Sequence, residues 1–181
     1  MTFGQEPPEL IKHRLFFEGR KFNFEVSRFR LPNQSVGDWE WIRHPGGSMA
    51  VPVTAEGKFV LVRQYRFAMQ GRLLEFPAGT VEVDEEPLIT IKREIVEETG
   101  YRAATWQPLG QFPNAPGYSD EIIYAYLATD LEKLPEGPQL EEDEDLEVVL
   151  MSADELEKAI LEGVPMDAKT IAAFYMARIR L

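Results

Sequence analysis

The sequence predicts an α+β fold in which helices pack against a mixed sheet. Strand-like segments recur along the chain with turn signals between them, whereas only three segments have helical character. The length of 181 residues is that of one domain with room for a small extra element. A content of 44% hydrophobic and 11% aromatic residues is enough for a sizeable core. This combination is typical of an α+β sandwich rather than of a disordered chain.

The predicted strands start with a hairpin over residues 16–31, where apolar and polar residues alternate. Residues 48–53 and 58–67 flank a short turn that carries Gly57. The remaining predicted strands are residues 73–76, 107–112, 122–128 and 146–151.

The three predicted helices have recognisable ends. The first covers residues 87–99, because Pro87 suits the first turn and Gly100 suits a C-terminal stop. The second begins after Ser152, a good N-cap residue, and ends at Gly163. The third covers residues 167–179.

Charge and composition exclude several classes of function. The net charge of −12 argues against binding nucleic acid or anionic membranes through bulk charge. The chain has no cysteine, so disulfides, thiol nucleophiles and cysteine-ligated metals are excluded. The two histidines, His13 and His44, have no ligand or acid–base spacing and are expected to be structural. With no apolar run of membrane-spanning length and no recognisable signal peptide, we expect a cytoplasmic protein.

The first helix carries a concentrated set of carboxylates. Placed at about 100° per residue, Glu94, Glu97 and Glu98 share one face, because residues three and four apart are helical neighbours. The apolar residues of this helix form another arc that is expected to face the core: Leu88, Ile89, Ile91, Ile95 and Val96. Like charges at this spacing repel, and a divalent cation such as Mg²⁺ or Mn²⁺ would remove the conflict. A solvated acidic helix face is the alternative interpretation.

The segment that contains these carboxylates matches a known pattern. Residues 79–101 follow G-x5-E-x7-R-E-U-x-E-E-x-G-U, where U is a bulky apolar residue. This pattern resembles the box of the Nudix hydrolase family. The resemblance implies an α/β/α sandwich with a mixed sheet and, here, an N-terminal β-hairpin extension. It also implies Mg²⁺-dependent hydrolysis of a nucleoside diphosphate linked to another group, with Mn²⁺ as a substitute.

The resemblance also implies roles for individual residues. Glu94 and Glu98 are expected to be the principal metal ligands, and the backbone carbonyl of Ala78 is expected to bind metal as well. Glu97 is expected to be a further ligand or the group that activates water.

Three other positions of the box are expected to support the metal ligands. Arg93 is expected to orient the glutamates, and Glu85 to brace the join between loop and helix. Gly79 is expected to occupy a sharp backbone turn.

Residues outside the box point to the substrate. Pro116 lies 15 residues beyond Tyr101, as in family members that hydrolyse ADP-ribose, although Pro-Gly is also an ordinary turn. By the same resemblance, Arg66 is expected to bind the substrate phosphates, with Arg63 as the alternative, and Glu121 to contact the terminal ribose. A charged edge-strand residue is the competing interpretation of Arg66.

The acidic run at residues 140–147 resembles a family loop that supplies a catalytic or metal-binding glutamate. We expect Glu144 to lie near the metal ions and Glu142 to act as the base, although the two roles could be reversed. An ordinary solvated loop is the alternative.

The leading residues are expected to form a separate element. Residues 1–45 are expected to be a strand extension that forms a homodimer, and residues 46–181 the Nudix domain. Four aromatic residues in the extension could stack on adenine or simply form core: Phe22, Phe24, Trp39 and Trp41.

Three functions remain open at this point. The leading one is hydrolysis of ADP-ribose or a related ADP-sugar to AMP and a sugar phosphate. A second keeps the fold but takes GDP-mannose or another nucleotide sugar. A third is a non-catalytic Nudix module that binds a nucleotide, which the intact glutamates of the box argue against.

Overall fold

A computed structural model describes residues 6–140 and 145–181. Its strands are β1 (Glu9–Glu18), β2 (Asn23–Arg30), β3 (Val36–Arg43), β4 (Gly47–Pro52), β5 (Phe59–Arg66), β6 (Gly71–Glu75), β7 (Ala78–Thr80), β8 (Tyr101–Pro113), β9 (Ile122–Lys133) and β10 (Leu146–Met151). Its α-helices are α1 (Pro87–Thr99), α2 (Ala153–Leu161) and α3 (Ala168–Arg178), and a short 3₁₀ helix covers Phe67–Met69. The α+β class is confirmed.

Two compact units make up the chain. The first unit contains Met1–Gly46 and Gln111–Ile122, and the second contains Gly47–Gly110 and Ile123–Leu181. The second unit therefore holds all three α-helices and the whole of the carboxylate-rich segment.

The first unit contains an antiparallel sheet in the order β1-β2-β3. The predicted hairpin at residues 16–31 covers the end of β1 and all of β2, but β1 starts earlier, at Glu9, and β3 was not predicted. The register of β1 shifts between Leu10 and Lys12 and again between His13 and Leu15. These irregularities break the alternation of side chains along β1, which explains why the sequence pattern did not reveal this strand.

The second unit contains a mixed sheet in the order β7-β4-β9-β8 and an antiparallel sheet in the order β10-β5-β6. The pair β4 and β9 is parallel, whereas β4 and β7 are antiparallel. All six residues of β4 are buried, in agreement with its nearly continuous apolar sequence. The mixed sheet predicted from the sequence is therefore confirmed.

Helix α1 packs its apolar face against β4 and β7. Ile91 and Ile95 are fully buried in a cluster with Ala50 and Ala128. Ile89 is exposed, so its predicted place in the core is wrong. Ile91 and Ile95 lie four residues apart on one face, whereas Ile89 is rotated by about 200° from Ile91.

The ends of the helices follow local signals. Helix α1 begins at Pro87 and is ended by Gly100, which has a left-handed φ of 68°. Asp167 caps α3 by accepting a hydrogen bond from the Thr170 N–H at 2.8 Å. Within residues 6–140 and 145–181, no helix combines the length and apolar character that crossing a bilayer demands.

A capping box starts α2. The Glu155 N–H donates to the Ser152 hydroxyl at 3.2 Å, and the Ser152 N–H donates to the Glu155 carboxylate at 2.6 Å. Lys58 also donates to this carboxylate at 3.2 Å. The hydrogen bonds from the Ser152 backbone and hydroxyl, with that from Lys58, lower the pKa of Glu155 from 4.5 to about 2.

We expect Ser152→Ala to lower the free energy of unfolding at neutral pH by about 1 kcal/mol, because the cap is lost. The folded-state pKa of Glu155 is lowered, so the stabilisation is present above its ordinary pKa and is lost as the pH falls toward 2. Urea unfolding at pH 7 and pH 3 should therefore show a smaller difference between variant and parent at pH 3. The control is Glu162→Gln at the other end of α2, and an equal difference at both pH values contradicts the prediction.

Candidate functional site

The carboxylates of α1 lie directly against the backbone of β7. The Glu98 side chain accepts a hydrogen bond from the Ala78 N–H at 3.1 Å, and Glu98 is only 3% exposed. A Cβ atom added to Gly79 would lie 2.3 Å from the Cδ atom of Glu94. The start of β7 and two glutamates of the helix therefore meet at one place.

Gly79 is needed for this close approach rather than for a turn. It pairs with Ser48 in the middle of β7, and its φ lies outside the left-handed region. The expected sharp turn at Gly79 is therefore wrong. Any larger residue would occupy the space of the Glu94 carboxylate, so the glycine permits Glu94 to contact the strand.

Arg93 lies among the acidic side chains of this segment. Its guanidinium contacts Glu94 at 3.0 Å, Glu85 at 3.2 Å and Glu97 at 3.7 Å. Thr90 donates a hydrogen bond to Glu85 at 2.7 Å. That hydrogen bond, together with the charge of Arg93, lowers the pKa of Glu85. The contacts match the expected roles of Arg93 and Glu85, because one cation links the loop before the helix to the helix itself.

The donor set at this place fits a divalent cation. Glu94 and Glu98 carry carboxylate oxygens, and the Ala78 carbonyl belongs to the same strand start as the N–H that binds Glu98. Glu97 is half-buried on the same helix. In the described part of the chain, no three acidic or histidine side chains form a ready-made cage. Mg²⁺ does not require one, because it commonly uses one or two carboxylates together with water and substrate phosphates.

The two glutamates expected to complete the site, Glu142 and Glu144, lie outside the described residues. The chain after them returns to β5, where the Tyr65 N–H donates to the Asp145 carbonyl at 2.9 Å. Arg66 is the next residue of β5. The described end of the acidic run therefore contacts the strand that carries the candidate phosphate-binding arginine.

Arg66 and Arg63 make different contacts. Arg66 donates two hydrogen bonds to Glu75, both at 2.7 Å. Arg63 instead donates to Glu147 of β10 at 2.7 Å, in an exposed pair. The sequence analysis missed Glu75, although a single charged residue within the apolar run Leu73–Phe76 is a signal for a buried ion pair.

Glu121 belongs to the first unit, whereas the carboxylates of α1 belong to the second. Its side chain accepts a hydrogen bond from Asn114 at 2.7 Å and lies 3.6 Å from Nδ1 of His44. The same histidine nitrogen accepts a hydrogen bond from the Gly46 N–H at 3.0 Å. His44 therefore contacts both Gly46 and Glu121 within the first unit.

A cavity of about 340 Å³ in the first unit collects several aromatic residues. Phe29 contacts Trp41 with ring centroids 5.4 Å apart and Trp39 with centroids 6.5 Å apart. Both tryptophans line the cavity, and so do Pro116 and Tyr118 of the segment singled out for substrate choice. Of the four aromatic candidates, Phe22 and Phe24 are not among the residues found around this cavity.

Comparisons with known proteins identify the family of this chain. The family model described as NUDIX domain matches residues 34–174. The chain therefore belongs to the Nudix family, and it is a Nudix hydrolase. Members of this family generally require a divalent cation.

Curated relatives match nearly the whole chain. A methanol dehydrogenase activator of Bacillus methanolicus is 37% identical, covering 90% of this chain and 88% of the relative. An ADP-ribose pyrophosphatase of Bacillus subtilis is 35% identical, covering 94% and 92%. A GDP-mannose pyrophosphatase of Cronobacter sakazakii is 31% identical, covering 95% of each.

A solved structure supports the fold. The crystal structure of an ADP compounds hydrolase superposes with a TM-score of 0.81, at 21% identity, over 99% of this chain and 97% of that one. At this identity the likeness concerns the fold, and it confirms the Nudix-type architecture.

We expect Gly79→Ala to weaken binding of a divalent cation about tenfold while the protein stays folded, because the methyl group must displace the flexible Glu94 side chain. Calorimetric titration with Mn²⁺ measures the affinity, and circular dichroism follows thermal unfolding. Gly71→Ala is the matched control, since its Cβ would meet only an ordinary contact at 3.7 Å. Unchanged Mn²⁺ affinity in the Gly79→Ala variant would show that the position of Glu94 is unimportant for the cation.

Proposed function

We propose that this protein hydrolyses the pyrophosphate bond of ADP-ribose or a related ADP-sugar, giving AMP and a sugar phosphate, with Mg²⁺ as its cation and Mn²⁺ as a substitute. The observation that carries the proposal is the meeting of Glu94 and Glu98 with the start of β7. The similarity to ADP-ribose pyrophosphatases over most of the chain supports the choice of substrate.

The overall charge of the protein makes local cations necessary. Both the protein, with a net charge of −12, and a nucleoside diphosphate sugar are negative. Binding therefore depends on cations at the site rather than on long-range attraction. Arg66 is the candidate in this chain for direct contact with the substrate phosphates.

In the proposed mechanism, Glu94, Glu98 and the Ala78 carbonyl would hold the metal. When bound, the divalent cation neutralises the diphosphate, polarises its phosphorus–oxygen bonds and lowers the pKa of bound water. Arg93 keeps Glu94 in place through its 3.0 Å contact. This arrangement keeps the carboxylates of α1 in position before the substrate arrives.

A glutamate then removes the proton from the attacking water. Glu97 and the acidic-loop residues Glu142 and Glu144 are the candidates, with Glu142 as base and Glu144 near the metal. Water adds to one phosphorus as the bridging P–O bond breaks, and the leaving oxygen departs with the second phosphate. No covalent enzyme intermediate is needed. Glu121 completes the proposed substrate contacts at the terminal ribose.

GDP-mannose is the second candidate substrate. The similarity to the GDP-mannose pyrophosphatase of Cronobacter sakazakii extends over 95% of both chains. The cavity that contains Trp39 and Trp41 offers flat aromatic surfaces for a nucleobase but does not by itself choose adenine over guanine.

We also propose that the protein is a homodimer formed through residues 1–45, with residues 46–181 as the catalytic domain. Strand β1 is an edge strand and is exposed along its whole length. Its large apolar residues Leu15, Phe16 and Phe17 are among those exposed. An exposed apolar edge strand favours pairing with another chain.

We extend the proposal to a cytoplasmic location, which the lack of cysteine supports.

The dimer is tested by sedimentation equilibrium. We expect the parent protein to have twice the mass of one chain, and Phe17→Glu to shift the equilibrium toward monomer, because it places a charge in the apolar edge. The matched control is Val83→Glu, since Val83 is also apolar and exposed but lies in the second unit. A monomeric parent protein at micromolar concentration would contradict the proposed dimer.

The function is tested with a substrate panel. The protein is incubated with Mg²⁺ and ADP-ribose, GDP-mannose, NADH or 8-oxo-dGTP, and release of AMP or phosphate is measured. We expect ADP-ribose to be hydrolysed fastest, and Glu98→Gln to lower kcat at least about a hundredfold, since a metal ligand is lost. Glu82→Gln, an exposed residue of the same box, is the control.

The other outcomes of the panel are equally informative. Faster hydrolysis of GDP-mannose would favour the second candidate substrate. Tight nucleotide binding without turnover of any compound would indicate a non-catalytic module. Full activity in both Glu142→Gln and Glu144→Gln would refute the assignment of the acidic run.

A further inference from the structure

Glu75 is a buried carboxylate that belongs to none of the roles assigned so far. It ends β6 and is only 1% exposed. Two cations reach it from different parts of the chain. Arg66 of β5 donates from Nε and Nη2, each at 2.7 Å, and Lys169 of α3 donates from Nζ at 2.8 Å.

This ion pair is poorly explained by stability alone. Removing a carboxylate from water is costly, and a buried ion pair is often no more stabilising than apolar residues of the same volume. The neighbouring residues of β6 and the following loop are apolar and buried, as Leu74 and Phe76 show. An apolar residue of similar volume in place of Glu75 would avoid the cost of desolvating a carboxylate.

The geometry suits the control of one side chain. Two parallel hydrogen bonds from a guanidinium to a carboxylate define both the position and the plane of the guanidinium. Arg66 keeps 38% of its side chain exposed, whereas Glu75 is buried. The buried carboxylate therefore fixes the position of a guanidinium that solvent can still reach.

Helix α3 holds the other side of Glu75. Lys169 contacts both Glu75 and Asp167, the N-cap of α3. The next residue, Thr170, is fully buried and accepts a hydrogen bond from the Phe76 N–H at 3.1 Å. The Glu75 carboxylate and the Phe76 backbone are thus both hydrogen-bonded to residues in the first turn of α3.

The ionisation state of Glu75 agrees with this arrangement. Burial by itself would raise the pKa of Glu75, but the hydrogen bond from Arg66 and the charge of Lys169 outweigh it and hold the pKa below its ordinary value. Glu75 is therefore ionised around neutral pH, and Arg66 keeps its partner there.

We propose that Glu75, supported by Lys169, is a positioning residue that orients the Arg66 guanidinium toward a phosphate of the substrate. This inference rests on the proposed function, in which Arg66 contacts the diphosphate. Glu75 itself touches no substrate atom in this scheme and acts only through Arg66.

The sign of the effect separates positioning from simple electrostatics. A carboxylate that acted only through its field would repel the diphosphate, so its neutralisation would lower KM. A positioning carboxylate has the opposite effect, because its loss frees the arginine and KM rises.

The test compares Glu75→Gln, Arg66→Ala and the double variant in steady-state kinetics, using the substrate of the panel that the parent protein hydrolyses fastest. We expect Glu75→Gln to raise KM about tenfold with kcat changed less than about threefold. In the Arg66→Ala background, Glu75→Gln should change KM less than about twofold, since the partner through which it acts is gone. Glu157→Gln is the matched control, because it breaks another glutamate–arginine pair, between α2 and α3.

Thermal unfolding establishes that each variant is folded. If Glu75→Gln does not fold, Glu75→Asp provides the same test, because it keeps the charge but shortens the side chain, and its KM should also rise. An unchanged or lowered KM, or an additive effect in the double variant, overturns the positioning role. An unchanged KM in Arg66→Ala also overturns the positioning role, but it does not contradict the proposed hydrolytic function. Failure of the proposed function is distinct, because the parent protein would then hydrolyse no compound of the panel.

Discussion

The contact between β7 and the carboxylates of α1 is the constraint on which the rest of the site depends. Gly79 leaves room for Glu94, and the Ala78 N–H holds Glu98. Both contacts require the strand and the helix to approach more closely than ordinary side chains allow. Ile91 and Ile95 are helical neighbours of Glu94 and Glu98 and are fully buried, so their packing in the core maintains that approach.

Placing several carboxylates together has an electrostatic cost that the protein reduces in two ways. Arg93 lies among three glutamates and lowers their mutual repulsion. A divalent cation, which the family generally requires, would supply the remaining positive charge if it bound there. The same principle applies to Glu75, because its ion pairs with Arg66 and Lys169 offset the cost of burying its charge. In both places acidic groups are stable because cationic groups are arranged around them.

The two units carry different candidate residues. The second unit carries the box glutamates and the arginines that contact buried or clustered carboxylates. The first unit carries the aromatic cavity with Trp39 and Trp41 and the segment around Pro116. Relatives with different substrate names share most of their length with this chain.

Features encoded by neighbouring residues were predictable from the sequence alone. Helix α1 has the predicted ends because Pro87 and Gly100 act through local backbone geometry, and the shared face of Glu94, Glu97 and Glu98 follows from helical spacing. The mixed sheet and the family were predictable for the same reason, since apolar patterns and the box are continuous in the sequence.

Only the tertiary structure revealed the partners that come from distant parts of the chain. Lys169 reaches Glu75 across 94 positions, and Gly79 owes its small size to a side chain on another element. The shifts of register that hid β1 likewise depend on its pairing with β2. Local sequence determines which elements form and which faces they present. The contacts between those faces depend on how the whole chain packs, so no single segment contains them.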